Sequence, residues 1–225
     1  MLTDVVRTLV QVRDERLTRL AQLQAELRAG ADALPPSSET VVKLIRQHLD
    51  CQRSSRLPVL VVAAAYQSVA DRLGEATRPL HAHNAADEQT GAAGDVEVTL
   101  ENDDRVYTAY EMKQKSVTRD DLDRAVQKLA GRDRRPDNYV FITTDRVDLA
   151  VSDHAASLYE ATGGTEFVVL DCLGFLRHFL HLFHRRRTAF LDAYQSLVLN
   201  EPDSAVGLPL KEAFLALRAA AVSSE

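Results

Sequence analysis

The sequence predicts an α/β domain with a mixed central sheet, carrying helices before and after it. Two observations lead there. Residues 94–115, GDVEVTLENDDRVYTAYEMKQK, alternate apolar and polar side chains on either side of a turn-rich Glu101-Asn102-Asp103-Asp104, as a half-buried β-hairpin does. Residues 139–143 (YVFIT) and 165–170 (TEFVVL) are continuous apolar runs, the pattern of strands buried on both faces, and each follows a helical segment. Strand, strand, helix, strand, helix, strand is an order in which the crossover helices make the later strands parallel.

In chain order, residues 2–29 have a helical stripe of Leu2, Val6, Leu9, Leu20, Leu23 and Leu27, interrupted by Arg13 and Arg16. This stripe packs on its own domain or on a partner. GADALPPSS at 30–38 is a turn-rich link, and Ser37 or Ser38 can cap a helix over 39–51. Pro58 stands where a helix begins, and residues 57–73 are apolar nearly all round, which places that helix centrally against the apolar side of the hairpin. Gln67 on it reads as a satisfied core group. Residues 78–93 lack periodicity; His81, His83, Asp87 and Glu88 there admit a metal site or an extra carboxylate but suit a solvated loop as well. Asn84, Gln89 and Thr90 lie where a loop entering a functional strand could touch a ligand.

After the hairpin, Thr118 and Asp121 mark a helix start that buries Leu122, Val126 and Leu129 up to about Gly131. Gly131 to Asp137 is a basic turn with Arg132, Arg134 and Arg135, suited to phosphate contact or to solvent. A helix over 149–161 stops at Gly163-Gly164. Residues 173–187 begin a helical C-terminal region whose Arg185, Arg186 and Arg187 form a basic edge, and helices over 190–199 and 209–222 complete it. The expected division is residues 1–36 as helix and linker, 37–172 as the α/β core, and 173–225 as helices packed on that core.

The chain has 225 residues, 45% of them hydrophobic and 27% charged, which is ordinary for a globular protein with one sizeable core. Its net charge of −6 disfavours a protein that coats nucleic acid indiscriminately, without excluding one that meets it through local basic patches. Cys51 and Cys172 have no metal-like spacing, and neither a secretory segment nor an apolar run of spanning length is evident. A reduced, cytoplasmic protein without membrane contact is expected.

The chemistry gathers on the hairpin. With a turn near Asp103, Leu100 pairs with Val106, Val98 with Thr108, Val96 with Tyr110 and Asp95 with Glu111. Opposed carboxylates about 5 Å apart repel unless a cation lies between them. Glu97 shares their face, as do Lys113 and Lys115, two of only five lysines in the chain. An ordinary solvated face with a Glu97–Lys113 ion pair is the plainer alternative.

An Asp followed after about fifteen residues by Glu-x-Lys resembles the signature of the PD-(D/E)XK nucleases, with Gly94 in the position of the Pro, then Asp95 and Glu111-Met112-Lys113. Over roughly residues 94–170, GDVEV and YEMKQKSVTRDDLDRAV are most similar to type II restriction endonucleases of the SacI family. The resemblance implies a restriction-endonuclease-like core and a Mg²⁺-dependent deoxyribonuclease, Mn²⁺ substituting, that cleaves double-stranded DNA in restriction or anti-phage defence. It implies metal ligation by Asp95 and Glu111 and a catalytic lysine that is either Lys113 or Lys115; the Met112 carbonyl, on the same strand edge, is a further candidate ligand, and Glu97 is either a third ligand or an exposed partner for Lys113. Arg132, Arg134, Arg135, Arg185, Arg186, Arg187, Gln89 and Thr90 are the candidates for DNA contact. Cutting two strands requires two sites, hence a homodimer or a complex with a partner protein. A DNA-binding or assembly subunit that keeps the fold without catalysis is the alternative, and a junction or repair nuclease a more remote one.

Overall fold

The computed structural model describes residues 1–29, 34–80 and 91–223. Five strands form one sheet in the order β1-β2-β3-β4-β5: β1 (Glu75–Thr77), β2 (Val96–Leu100), β3 (Val106–Lys113), β4 (Asn138–Thr143) and β5 (Glu166–Asp171). The pairs β1–β2 and β2–β3 are antiparallel, and β3–β4 and β4–β5 are parallel. The sheet is therefore mixed, as expected. Its edge strand β1 was not anticipated, because three residues directly after a helix are too short to display alternation.

The hairpin register agrees with expectation at Val96–Tyr110 and Val98–Thr108, then slips, so that Thr99 faces Val106. Tyr107 is the extra residue on β3, a β-bulge that ends the predicted pairing of Leu100 with Val106. The Tyr107 hydroxyl donates to Asp103 Oδ2 at 2.7 Å, and the Arg105 guanidinium lies 4.7 Å from the ring centre, so the bulged residue is held locally.

Period-2 alternation assigns the two sheet faces to two cores. Val96, Val98, Tyr110, Val140 and Ile142 point into the larger core, built with α2 (Ser38–Leu49), α3 (Leu57–Leu73), α6 (Cys172–Leu182), α7 (Arg187–Asn200) and α8 (Leu208–Ser223). Ala109, Tyr139, Phe141, Phe167 and Val169 point the other way, onto α4 (Arg119–Ala130) and α5 (Leu149–Ala161). Helix starts follow local capping chemistry. Ser37 accepts from the Thr40 N–H, Thr118 and Asp121 form a reciprocal capping box on α4, and Asp148 accepts from the Ala150 N–H.

Helix α1 (Leu2–Ala29) divides along its length. Leu20 is buried and Leu23 and Leu27 half-buried against the larger core, whereas Leu2, Val6 and Leu9 are exposed. Arg16, which breaks the stripe, reaches Glu212 of α8 at 2.9 Å, and Arg19 reaches the same carboxylate at 3.1 Å. Helix α3 is buried along most of its length, but Gln67 is exposed rather than a core group, since it falls on the narrow sector that faces solvent. No described helix is long and apolar enough to cross a membrane.

Candidate functional site

Asp95 immediately precedes β2, while β3 runs on to Lys113, so the Met112 N–H outlasts the β2 backbone that would accept it. The Asp95 carboxylate takes its place, accepting from the Met112 N–H at 2.7 Å. This bond holds Asp95 beside the Glu111–Met112 peptide. The approach depends on Gly94, where a Cβ would stand 2.5 Å from the Tyr110 carbonyl oxygen. Proline carries a Cβ too, so the same clash would exclude it at this position.

Met112 packs toward the larger core, so its neighbours Glu111 and Lys113 project on the other face, beneath α4. The Lys113 ammonium lies 3.7 Å from Glu111 Oε1 and 3.6 Å from Asp121 Oδ1 on α4. Lys128, also on α4, lies 3.9 Å from Glu111 Oε2, and the Tyr139 hydroxyl of β4 donates to the same oxygen at 3.2 Å. Burial pushes the Asp121 carboxyl up, but hydrogen bonds from the Thr118 side chain and backbone, the charge of Lys113 and a bond from Arg124 hold it below the usual range.

Lys115 lies past the end of β3 and is exposed, its carbonyl accepting from the Thr143 hydroxyl at 2.9 Å. Glu97 is buried, and its described partners are the Ala93 N–H at 2.6 Å and Arg78 at 3.3 Å rather than Lys113. Glu97 thereby fastens the segment that delivers Asp95.

The described partners of the expected basic patches are these. Arg135 donates to the Thr162 carbonyl that ends α5, and Arg132 donates to the Gly91 carbonyl; Arg134 is exposed, and its charge acts on Asp103. Arg186 pairs with Asp71 on α3, across the sheet from Glu111, with Arg185 exposed and Arg187 half-buried beside it. His81, His83, Asn84, Asp87, Glu88, Gln89 and Thr90 lie outside the described residues. An open cleft of about 950 Å³ at the carboxyl ends of β4 and β5 is lined by Arg46, Asp50, Thr144, Asp145, Arg146 and Asp171 among others.

The sequence reading missed Lys128 and Tyr139. Lys128 stands seven residues after Asp121, two helical turns on and hence on the same face of α4, which is a readable signal once Asp121 is placed at the site. Tyr139 pairs in register with Ala109, two residues before Glu111, and was hidden inside an apolar run.

Asp95 on the Met112 N–H, Glu111 with Lys113, Lys128 and Tyr139 about it, and a delivering segment held by Glu97 make up the cluster. Residues 36–144 match the family model of the SacI restriction endonuclease C-terminal domain. The match covers a little under half of the chain and supports a restriction endonuclease family. It contains every residue of the cluster, from Arg78 through Asp95 and Glu111 to Tyr139. No curated protein matches the chain.

Among the described residues, no three His, Cys, Asp or Glu side chains gather into a metal cage. Asp95 and Glu111 nonetheless supply hard carboxylate oxygens, and Mg²⁺ is commonly held by one or two carboxylates, with phosphate and water completing its shell. The donor set fits that ion.

Proposed function

We propose that this chain is a Mg²⁺-dependent endonuclease of the PD-(D/E)XK type that hydrolyses phosphodiester bonds in double-stranded DNA, in restriction or related defence. The observation that carries the reading is that Asp95 is bonded to the N–H of Met112, the residue between Glu111 and Lys113, while the Lys113 ammonium lies 3.7 Å from Glu111. The similarity to the SacI restriction endonuclease C-terminal domain supports the same chemistry.

Asp95 and Glu111 would hold the metal, whose part when bound is to acidify a water and to offset charge on the phosphate. Asp95 is oriented by the Met112 N–H and Glu111 by the Tyr139 hydroxyl, so neither carboxylate has to reorganise far. Lys113 supplies a fixed positive charge beside the reacting phosphate, where it favours the more anionic transition state over the ground state. Asp121 sets the direction of the Lys113 stem. Two copies, or a copy and a partner protein, would be needed to cut both strands.

The test is incubation of the chain with varied duplex DNA and Mg²⁺ or Mn²⁺ beside Glu111→Gln. Metal-dependent cleavage by the native chain, lost by about 10²-fold or more in the variant, is the expected result. Equal cleavage by both would remove Glu111 from the mechanism.

A further inference from the structure

Each oxygen of Glu111 has its own ammonium. Lys113 lies 3.7 Å from Oε1 and Lys128 3.9 Å from Oε2. Lys113 also lies 3.6 Å from Asp121, and Lys128 reaches Glu111 from the last turn of α4 with its side chain a quarter exposed. A divalent ion on Glu111 needs the same oxygens and meets the same positive field. Neighbouring charge at ~4–6 Å changes a carboxylate's affinity for a proton by roughly ten- to a thousandfold, and any other cation is subject to that repulsion.

We infer that Lys128 is a cationic gate on Glu111: in the resting protein it opposes a divalent ion at that carboxylate, and a phosphate of the substrate draws it off. A flexible four-carbon stem bearing a compact charge suits such a transfer between two anions. The consequence is ordered loading, with tight metal binding only when a phosphodiester is present. Free metal would then not arm the enzyme in the absence of DNA. The inference rests on the nuclease reading above, because it takes Glu111 as a metal ligand. Lys128 acts through Glu111 and is thus a positioning residue.

The experiment is calorimetric titration of the full chain with MnCl₂, without DNA, for the native protein, Lys128→Met, Lys128→Arg and Glu111→Gln. Lys128→Met should tighten Mn²⁺ binding by about tenfold, the low end of the range because Lys128 is partly solvated. Lys128→Arg, which keeps the charge, should stay near the native value, and Glu111→Gln should lose the site. In metal-free duplex DNA binding, Lys128→Met should lower the slope of log K against log salt by about one. A merely structural lysine would not raise metal affinity when removed. Mn²⁺ affinity that is unchanged or weaker in Lys128→Met overturns the gate and leaves the nuclease reading standing on native binding and cleavage. If neither the native chain nor Lys128→Met binds Mn²⁺, the nuclease reading falls and the gate with it.

Discussion

The Lys113 ammonium is suspended between two carboxylates from different elements, Glu111 of its own strand and Asp121 of α4, at 3.7 and 3.6 Å. Lys115, two residues on, has left the strand and points into solvent. On sequence parity alone the two were equivalent. Lys113→Ala is therefore expected to lower DNA cleavage by about 10²-fold or more, as removal of a positioned charge at a reacting centre does. Lys115→Ala should stay within about fivefold of the native rate, since an exposed charge is screened. Single-turnover cleavage of one duplex by both variants decides this, and the reverse ranking would reassign the lysine.

Gly94 makes the second prediction. The 2.5 Å separation between a Cβ there and the Tyr110 carbonyl leaves no room for a side chain, and the obstacle is backbone rather than a yielding rotamer. Gly94→Ala should push the delivering segment off β3, costing about 1–3 kcal/mol and breaking the Asp95–Met112 bond. Urea unfolding reads the first effect and cleavage the second. Native stability together with native cleavage would show that the close approach is not required.

Most of the fold was legible for a local reason. Alternation from Val96 to Lys113, the apolar runs at β4 and β5, and the Thr118–Asp121 capping box each announce themselves within a few residues. What was illegible depends on where segments end or meet. Period 2 carries Lys115 onto the face of Lys113 only if the strand continues, and it stops at Lys113. Lys128 and Tyr139 join Glu111 from two other elements, across separations that no local pattern encodes. The bulge at Tyr107 moved one pair of the hairpin and left Val96 opposite Tyr110, where the β2–β3 ladder ends; Asp95, one residue before β2, is held by the Met112 N–H.

The two cysteines should behave as unreactive thiols. Cys172 is buried at the start of α6, and burial followed by the adjacent Asp171 charge pushes its thiol up to about 12. Burial, with a smaller part from Asp50, also raises Cys51. A thiol reagent at pH 8 should modify Cys172 only after denaturation, because the thiolate is the nucleophile. Any slow native reaction should vanish in Cys51→Ser; one that persists would mean that the α6 N-terminus opens.

His48 ties α2 to the C-terminal helices and sets a pH limit on the larger core. Its Nε2 donates to the Leu210 carbonyl at 3.0 Å, which leaves Nδ1 to accept the Tyr194 hydroxyl at 3.0 Å, so the neutral ring satisfies both bonds. Burial lowers its pKa to about 4 from 6.5, against the pull of the Leu210 carbonyl. In the unfolded chain the ring takes a proton near pH 6.5. Between those values the unfolded state binds the additional proton, so stability from this site is complete above about pH 7 and declines as pH falls toward 4, by roughly 3 kcal/mol in all. His48→Gln, which can keep a donor and an acceptor without titrating, should flatten that part of the profile while lowering stability at pH 7.5. Urea midpoints for both proteins at pH 7.5 and 4.5 make the comparison, with carboxylate titration common to the two. Equal losses between the two pH values would mean that the ring is protonated in the folded core, with Tyr194 turned to accept from it.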